Sequence, residues 1–139
     1  MVYLDTSALV PAFIREPKSE DVLAWLEASH EPLAISEWSM TEFASATAIK
    51  LRTGQIGAAL AGQAWMSLLD FAEAHCLIAV PGRSQFGRAA DLVREPGSKL
   101  RAGDALHVAI AEAIAESVLS LDDAMLESVK GVGLKAIKL

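Results

Sequence analysis

The sequence predicts an α/β fold in which helices cover both faces of a mostly parallel central sheet, a three-layer α/β/α sandwich. Short apolar runs alternate with longer segments of helical period along the whole chain, which is typical of parallel strands joined by helical crossovers. At 139 residues the chain has the length of one typical domain, and we expect residues 1–139 to form it. Hydrophobic residues make up 53% of the chain, enough for one well-filled core.

Five short apolar runs predict the strands, at residues 2–5, 33–36, 77–80, 118–121 and 134–139. The last run is the weakest, and it fits an edge strand or a tail. Helical periodicity predicts a short helix after Ser7 and longer helices at residues 20–28, 40–52, 56–75, 85–93, 105–116 and 124–130. Serines at the expected N-caps (Ser19, Ser39 and Ser84), and Gly54 between the third and fourth helices, support these boundaries.

The composition argues against membrane and secreted proteins. Mean hydropathy is high, at +0.34, but charged residues interrupt every apolar stretch before the ~18 residues that a membrane helix needs. The N-terminal segment lacks the basic and apolar regions of a signal peptide. The single cysteine, Cys76, cannot form an internal disulfide, so we expect a cytoplasmic protein.

The net charge of −6 argues against a protein that holds nucleic acid by its overall charge, since phosphate contacts need local cations. Charge is spread unevenly, however. Residues 1–49 contain eight acidic and two basic side chains, whereas residues 83–101 contain five basic and two acidic ones. Lys99 and Arg101 belong to this basic segment, which runs directly up to Asp104.

Acidic residues lie at the ends of four separate segments. Asp5 ends the first predicted strand, and Asp122 and Asp123 follow the fourth. Glu42 lies near the start of the third predicted helix, and Asp104 precedes the sixth. In parallel sheets ligands gather at the carboxyl ends of the strands, so we expect these acids to lie together. Clustered carboxylates repel one another unless a cation is present, and oxygen ligands suit Mg²⁺ or Mn²⁺.

Each acid taken alone also has a purely structural interpretation. Asp5 fits a helix cap or an Asx-turn, and Glu42 fits a capping box with Ser39. Asp104 fits an N-cap, and residues 120–123 fit the cap and acidic first turn of the last helix. Four independent caps would scatter over the surface, whereas the sheet brings these four positions to one edge. We therefore favour the metal site.

Other metal sites have weaker support in the sequence. The three histidines and Cys76 do not have the spacing of zinc ligands. His107 lies one helical turn after Asp104 on the same face, which would allow it to support the site. We interpret it instead as a hydrogen-bonded packing residue, the more common role of a single histidine.

The segments around the acids resemble the PIN-domain ribonucleases, and most closely the VapC-like toxins of prokaryotic toxin–antitoxin pairs. These segments are VYLDTSAL (2–9), SEWSMTEF (36–43), LRAGDALHVA (100–109) and SLD (120–122). Matched position by position, the acidic quartet of the family falls on Asp5, Glu42, Asp104 and Asp122. Ser7 matches the small hydroxyl residue beside the first acid. Ser120 stands where the family usually has threonine, and Asp123 leaves open which acid faces the metal, although we prefer Asp122.

The resemblance implies an α/β/α fold and a Mg²⁺- or Mn²⁺-dependent endoribonuclease, usually the toxin of a type II toxin–antitoxin system. It also implies a small antitoxin as partner and a homodimer, and we expect Arg101 and Lys99 to contact RNA phosphates. Two other functions remain open. A PIN-like module that binds RNA or protein without cutting is one. A metal-dependent phosphatase with Asp5 as nucleophile is the other, although it lacks the second acid two residues on that one large phosphatase family uses.

Overall fold

The computed structural model describes all 139 residues and contains five strands and seven helices. The strands are β1 (Val2–Leu4), β2 (Leu33–Ser36), β3 (Cys76–Ala79), β4 (Ser117–Leu119) and β5 (Lys135–Ile137). The helices are α1 (Thr6–Phe13), α2 (Ser19–Ala28), α3 (Glu37–Arg52), α4 (Ala58–His75), α5 (Arg83–Arg94), α6 (Ala102–Ile114) and α7 (Asp123–Gly131). None of these helices is both long enough and apolar enough to cross a membrane.

All five strands run parallel in the order β3-β2-β1-β4-β5. The chain builds the sheet outward from β1 in one direction through β2 and β3, and then in the other through β4 and β5. The carboxyl end of β1 is therefore the point at which the strand order reverses, where open parallel sheets form a crevice. The predicted fold class is confirmed, and the last apolar run forms an edge strand.

Two apolar layers lie on opposite faces of the sheet, because successive side chains of a strand point to opposite sides. One face of the sheet carries Tyr3, Ala34 and Val118 and packs against α5, α6 and α7. The other face carries Val2, Leu4, Ile35 and Leu119 and packs against α1, α3 and α4. Helices thus cover both faces, which confirms the three-layer sandwich.

Several helices begin before the residues that periodicity predicts. Helix α3 begins at Glu37 rather than at residue 40, and its N-cap is Ser36. The side chains of Ser36 and Ser39 each accept a hydrogen bond from the other's backbone N–H, so the capping box joins two serines. The predicted cap at Ser39 is wrong, because the first turn of α3 holds few apolar residues and periodicity becomes visible only after it.

The predicted caps at Ser19 and Ser84 are also wrong, since both residues lie inside the first turn of their helices. Ser19 is the first residue of α2, and its hydroxyl donates to the carbonyl oxygen of Pro11. Helix α5 has Gly82 as its N-cap. Gly54 does end α3, with a positive φ of 73° that a side chain would disfavour.

Candidate metal centre

The four predicted acids are carried to the carboxyl edge of the sheet by different elements. Asp5 directly follows β1 and is 6% exposed. Glu42 projects from the second turn of α3 and is partly buried. Asp104 is the third residue of α6 and is also partly buried, whereas Asp122 is exposed and precedes α7. The elements that begin at this edge therefore bring all four acids to it.

Two serine hydroxyls fix the Asp5 carboxylate. Ser7 and Ser120 both donate to Asp5 Oδ2, at 2.6 and 2.7 Å. The hydroxyl oxygen of Ser7 also accepts a hydrogen bond from the backbone N–H of Leu121, at 2.9 Å. The hydroxyl oxygen of Ser120 accepts one from the backbone N–H of Asp122, at 3.1 Å. Each serine thus has its hydrogen-bonding capacity directed by the fold. Because Oδ2 is held in this way, Asp5 Oδ1 is the oxygen available to a ligand.

The Glu42 carboxylate is likewise held by one oxygen. Its Oε2 accepts from Thr6 Oγ1 at 2.9 Å and lies 2.6 Å from His107 Nε2. Burial raises the pKa of Glu42, but the hydrogen bonds from His107 and Thr6 contribute to a larger lowering, so the net pKa falls. Glu42 is therefore held ionised. The capping-box interpretation of Glu42 is wrong, since the box is made by two serines.

Asp104 shows that the four acids share one electrostatic site. Burial raises its pKa, a backbone amide at Arg101 lowers it, and the negative charges of Asp122, Asp5 and Glu42 raise it further, leaving a net increase. The N-cap interpretation is wrong for this residue, because Arg101 holds the N-cap position of α6. As the third residue of α6, Asp104 still hydrogen-bonds the backbone at the N-cap and places its negative charge in the first turn of the helix, so it has a structural role beside its place among the acids.

Asp122 and Asp123 have different partners. Asp122 is the N-cap of α7, and its Oδ1 accepts from the Met125 backbone N–H at 2.9 Å. The predicted capping role is correct here, although the charge of Asp122 also acts on Asp104. Asp123 Oδ1 pairs with Lys138 Nζ at 2.6 Å. Of these two adjacent acids, the geometry favours Asp122 as the member of the cluster.

His107 lies at the centre of the site, although sequence reasoning left it out. It is 1% exposed, and its Nε2 lies 2.6 Å from Glu42 and 3.5 Å from Asp5 Oδ1. One ligand atom each from Asp5, Glu42 and His107 lie within 4.8 Å of one another. The spacing to Asp104 was the available signal, because residues three apart share a helix face. His107 is hydrogen-bonded and packed, as predicted, but it is packed against the acids.

The donor set fits a small divalent cation. Asp5 Oδ1, Glu42 Oε1 and the Asp104 carboxylate accept no side-chain hydrogen bond, and carboxylate oxygens are the ligands that Mg²⁺ and Mn²⁺ prefer. Burial, together with the negative charge of the neighbouring acids, raises the pKa of Asp104, and a cation would balance that charge. Asp5 and Glu42 therefore fit a divalent cation, whereas Asp104 and Asp122 lie outside the group of ligand atoms that come within 4.8 Å of one another.

The basic side chains that could contact phosphate differ in whether they already pair with an acidic residue. Lys99 and Arg101 are exposed, and neither is among the ion-paired residues. Lys50 on α3, a further candidate for a phosphate contact, pairs with Glu16. Arg88, also in the basic segment, makes two hydrogen bonds to Glu112, at 2.8 and 3.1 Å. Lys99 and Arg101 thus leave two unpaired positive charges directly before α6.

Comparisons with known proteins agree with this architecture. VapC20 from Mycobacterium tuberculosis, a sarcin–ricin loop cleaving toxin, superposes with a TM-score of 0.76 at 13% identity, covering 100% of both chains. FitAcB from Neisseria gonorrhoeae superposes at 0.68 and 18% identity, covering 99% of this chain and 97% of that one. VapBC2 from Rickettsia felis, bound to a promoter DNA fragment, superposes at 0.66 and 19% identity, covering 100% and 99%.

These likenesses, all below 25% identity, show the fold. No curated protein matches the sequence. The family model of the PIN domain, in contrast, matches residues 2–131, which include all four acids and His107. The chain therefore belongs to the PIN domain family.

Proposed function

We propose that this protein is a single-domain, Mg²⁺- or Mn²⁺-dependent endoribonuclease. The observation that carries the proposal is the convergence of acids from separate segments at one edge of the sheet, where ligand atoms of Asp5, Glu42 and His107 lie within 4.8 Å of one another. Burial and the neighbouring carboxylates raise the pKa of Asp104 at the same edge. Membership of the PIN domain family supports the same chemistry. Repulsion among these carboxylates is a cost to the fold that a bound cation removes, so the cluster makes sense as a metal site.

Asp5 and Asp104 are the proposed principal ligands, with Glu42 and Asp122 contributing directly or through water. When bound, the cation would activate a water molecule and neutralise charge that develops on an RNA phosphodiester. The protein's own residues do the positioning. Ser7 and Ser120 hold one oxygen of Asp5 and direct the other into the site. No protein nucleophile is needed, and the expected products carry a 3′-hydroxyl and a 5′-phosphate.

The test is cleavage of a labelled, structured RNA pool by purified protein in Mn²⁺, in Mg²⁺ and in EDTA. Asp5→Asn should abolish cleavage while the fold survives, because it removes charge and keeps the shape of the side chain. Asp70→Asn, an exposed acid on α4, is the matched control and should cleave like the wild type. Cleavage that persists in EDTA or in Asp5→Asn would contradict the proposal. If the folded protein binds no metal and cuts no RNA, the result would favour a binding module without catalysis.

We further propose that the protein is a toxin, as VapC20 is described to be, and that its partner is a small antitoxin. A cavity of about 420 Å³ beside the acids supports this. Its lining is mostly apolar: Trp38, Phe86, Ala89, Ala90, Val93, Arg94, Ala102, Gly103 and Leu106. It adjoins the metal centre through Gly103, which packs against Glu42. An apolar antitoxin side chain seated there would block RNA.

To test for the antitoxin, this protein is co-expressed with the small protein encoded beside it, and co-purification of the two is measured. Phe86 is 55% exposed at the cavity, so Phe86→Ser should weaken the complex while leaving metal binding unchanged. Met66→Ser, an equally exposed apolar side chain on α4 outside the cavity, is the control. Equal complex formation by both variants would place the partner elsewhere.

A homodimer is the proposed assembly, because several exposed apolar side chains remain outside the cavity. On and beside the edge strand β3 these are Leu77, 48% exposed, and Val80, 77% exposed. Sheet edges with exposed apolar residues commonly meet another chain. Light scattering after size-exclusion chromatography measures the oligomeric state. A monomer at micromolar concentration would contradict the proposed dimer.

A further inference from the structure

We infer that His107, itself held by Tyr3, is a positioning residue that fixes the Glu42 carboxylate for metal binding. The inference deepens the proposed function and rests on it, since it takes Glu42 as one of the metal ligands. It assigns a task to two buried polar side chains that the acidic quartet leaves unexplained.

A buried chain of hydrogen bonds connects the centre of the sheet with the metal site. Tyr3 lies on the central strand β1 and is fully buried. Its hydroxyl is 2.7 Å from His107 Nδ1, 2.8 Å from Ser36 Oγ and 3.1 Å from Ser39 Oγ. On the other side of the imidazole, Nε2 is 2.6 Å from Glu42 Oε2. The Glu42 carboxylate is thus linked to the buried central strand of the sheet.

The proton directions along this chain follow from what each group can donate. An ionised carboxylate only accepts, so Nε2 of His107 carries a proton and donates it to Glu42. In the neutral ring Nδ1 then accepts, and the Tyr3 hydroxyl is its donor; this tautomer is assigned from the partners. The Tyr3 oxygen in turn accepts from the serines, whose own oxygens accept backbone N–H groups.

This arrangement leaves one oxygen of Glu42 for a ligand. Both Thr6 and His107 contact Oε2, while Oε1 lies beside Gly103. A glutamate that is free to rotate would lose side-chain freedom on binding a cation, whereas this one has already lost it on folding. Partners that orient metal ligands in this way typically change metal affinity by about 10–100-fold when they are removed.

The test compares His107→Gln with His107→Asn in the full-length protein. The longer glutamine amide reaches toward the position of Nε2 and can still donate to Glu42, whereas the shorter asparagine amide reaches only toward that of Nδ1. We expect His107→Gln to bind Mn²⁺ nearly as tightly as the wild type in isothermal titration calorimetry. His107→Asn should bind about 10–100-fold more weakly. Melting temperatures in EDTA report on the fold of each variant separately.

Equal Mn²⁺ affinity of the glutamine and asparagine variants would overturn the inference, because a packing role alone does not distinguish them. If neither variant folds, Tyr3→Phe decides, since it keeps the ring and removes the hydroxyl that donates to Nδ1 and accepts from Ser36 and Ser39. We expect it to weaken Mn²⁺ binding by several-fold, and unchanged affinity would then overturn the inference. Failure of the proposed function looks different: the wild type itself would bind no Mn²⁺ and cut no RNA.

Discussion

Asp104 bears a charge that its surroundings oppose, because burial and three neighbouring carboxylates raise its pKa. When the pKa of a carboxyl group is higher in the folded than in the unfolded protein, the group stabilises the fold at pH values below its ordinary pKa of 3.8. This contribution is lost as the pH rises through the folded-state pKa. We therefore expect metal-free Asp104→Asn to melt above the wild type at pH 7. The difference should shrink as pH falls toward 3.8, and the variant should not cleave RNA.

Thermal melts in EDTA across this pH range check the prediction, with Asp70→Asn as the exposed control. A gain of about 1 kcal/mol corresponds to roughly 3–4 °C in a chain of this size. An Asp104→Asn protein that melts below the wild type at pH 7 would show that its carboxylate stabilises the metal-free fold. Asp104 would then belong to the structure rather than to a metal site.

Gly103 is required by the close approach of Glu42. A Cβ at this position would lie 2.7 Å from Glu42 Oε1 and 3.4 Å from Trp38 Cζ2. Because a carboxylate at the end of a flexible side chain can move, Gly103→Ala should displace Glu42 without unfolding the protein. We expect cleavage and Mn²⁺ affinity to fall by about tenfold or more. Stability should stay near that of the wild type or rise, since alanine favours a helix by up to ~1 kcal/mol over glycine.

Gly87→Ala is the matched control for this substitution. Gly87 lies within α5, and a Cβ there would meet nothing within 4 Å. It should gain the same helix propensity and keep full activity, so cleavage assays and chemical denaturation of the two variants separate the steric effect from the helical one. Normal metal affinity in Gly103→Ala would mean that Glu42 does not ligate from its observed position.

At the level of single elements, the start of α3 joins capping to the site. Ser36 ends β2, caps α3 by accepting from the Ser39 N–H at 3.1 Å, and lies 2.8 Å from the Tyr3 hydroxyl. Ser36→Ala should destabilise the protein by about 1–3 kcal/mol, since it removes a cap and leaves a buried partner unsatisfied. Urea denaturation measures this loss. Thr41→Ala, which removes an exposed hydroxyl from the same helix, should cost much less, and equal losses would contradict the capping argument.

The sequence predicts the strands better than the starts of the helices. Each strand is a short apolar run whose ends are set by polar or turn residues, so its position is visible locally. Helices α3 and α6 begin three residues before their periodic patterns, because side chains such as Glu37 and Arg101 at these ends are exposed. The true start of α3 excludes the capping box predicted for Glu42. The true start of α6 moves Asp104 from the predicted N-cap to the third position of the helix, where it hydrogen-bonds the backbone at the N-cap Arg101.

The candidate site, like the fold, can be predicted from the sequence only in part. The convergence of Asp5, Glu42 and Asp104 follows from strand direction, which a sequence pattern reveals. The role of His107 depends on its contact with Tyr3, 104 residues away on β1, and on the approach of Glu42 from α3. No local pattern records a contact between elements so far apart. A single histidine on an apolar helix has the same sequence whether it packs against leucines or against carboxylates.

Across the whole molecule, the charge pattern matches an acidic centre approached through a basic segment. The net charge is −6, yet the exposed cations Lys99 and Arg101 directly precede the helix that carries Asp104. A protein of this net charge repels RNA at long range, so its phosphate contacts must be local and few. The salt dependence of RNA binding should accordingly be shallow and sensitive to single substitutions.

Arg101→Ala should weaken RNA binding and reduce the slope of log affinity against log salt by about 0.7, the value for one contact to a single strand. Binding is measured in the Asp5→Asn background, so that RNA stays intact. Arg52→Ala, an exposed arginine at the end of α3, is the control and should leave the slope unchanged. In protein that keeps Asp5, Arg101→Ala should leave Mn²⁺ affinity unchanged, because the arginine contacts phosphate rather than metal. A slope that stays the same in Arg101→Ala would place this residue outside the RNA interface and leave Lys99 as the cation to substitute next.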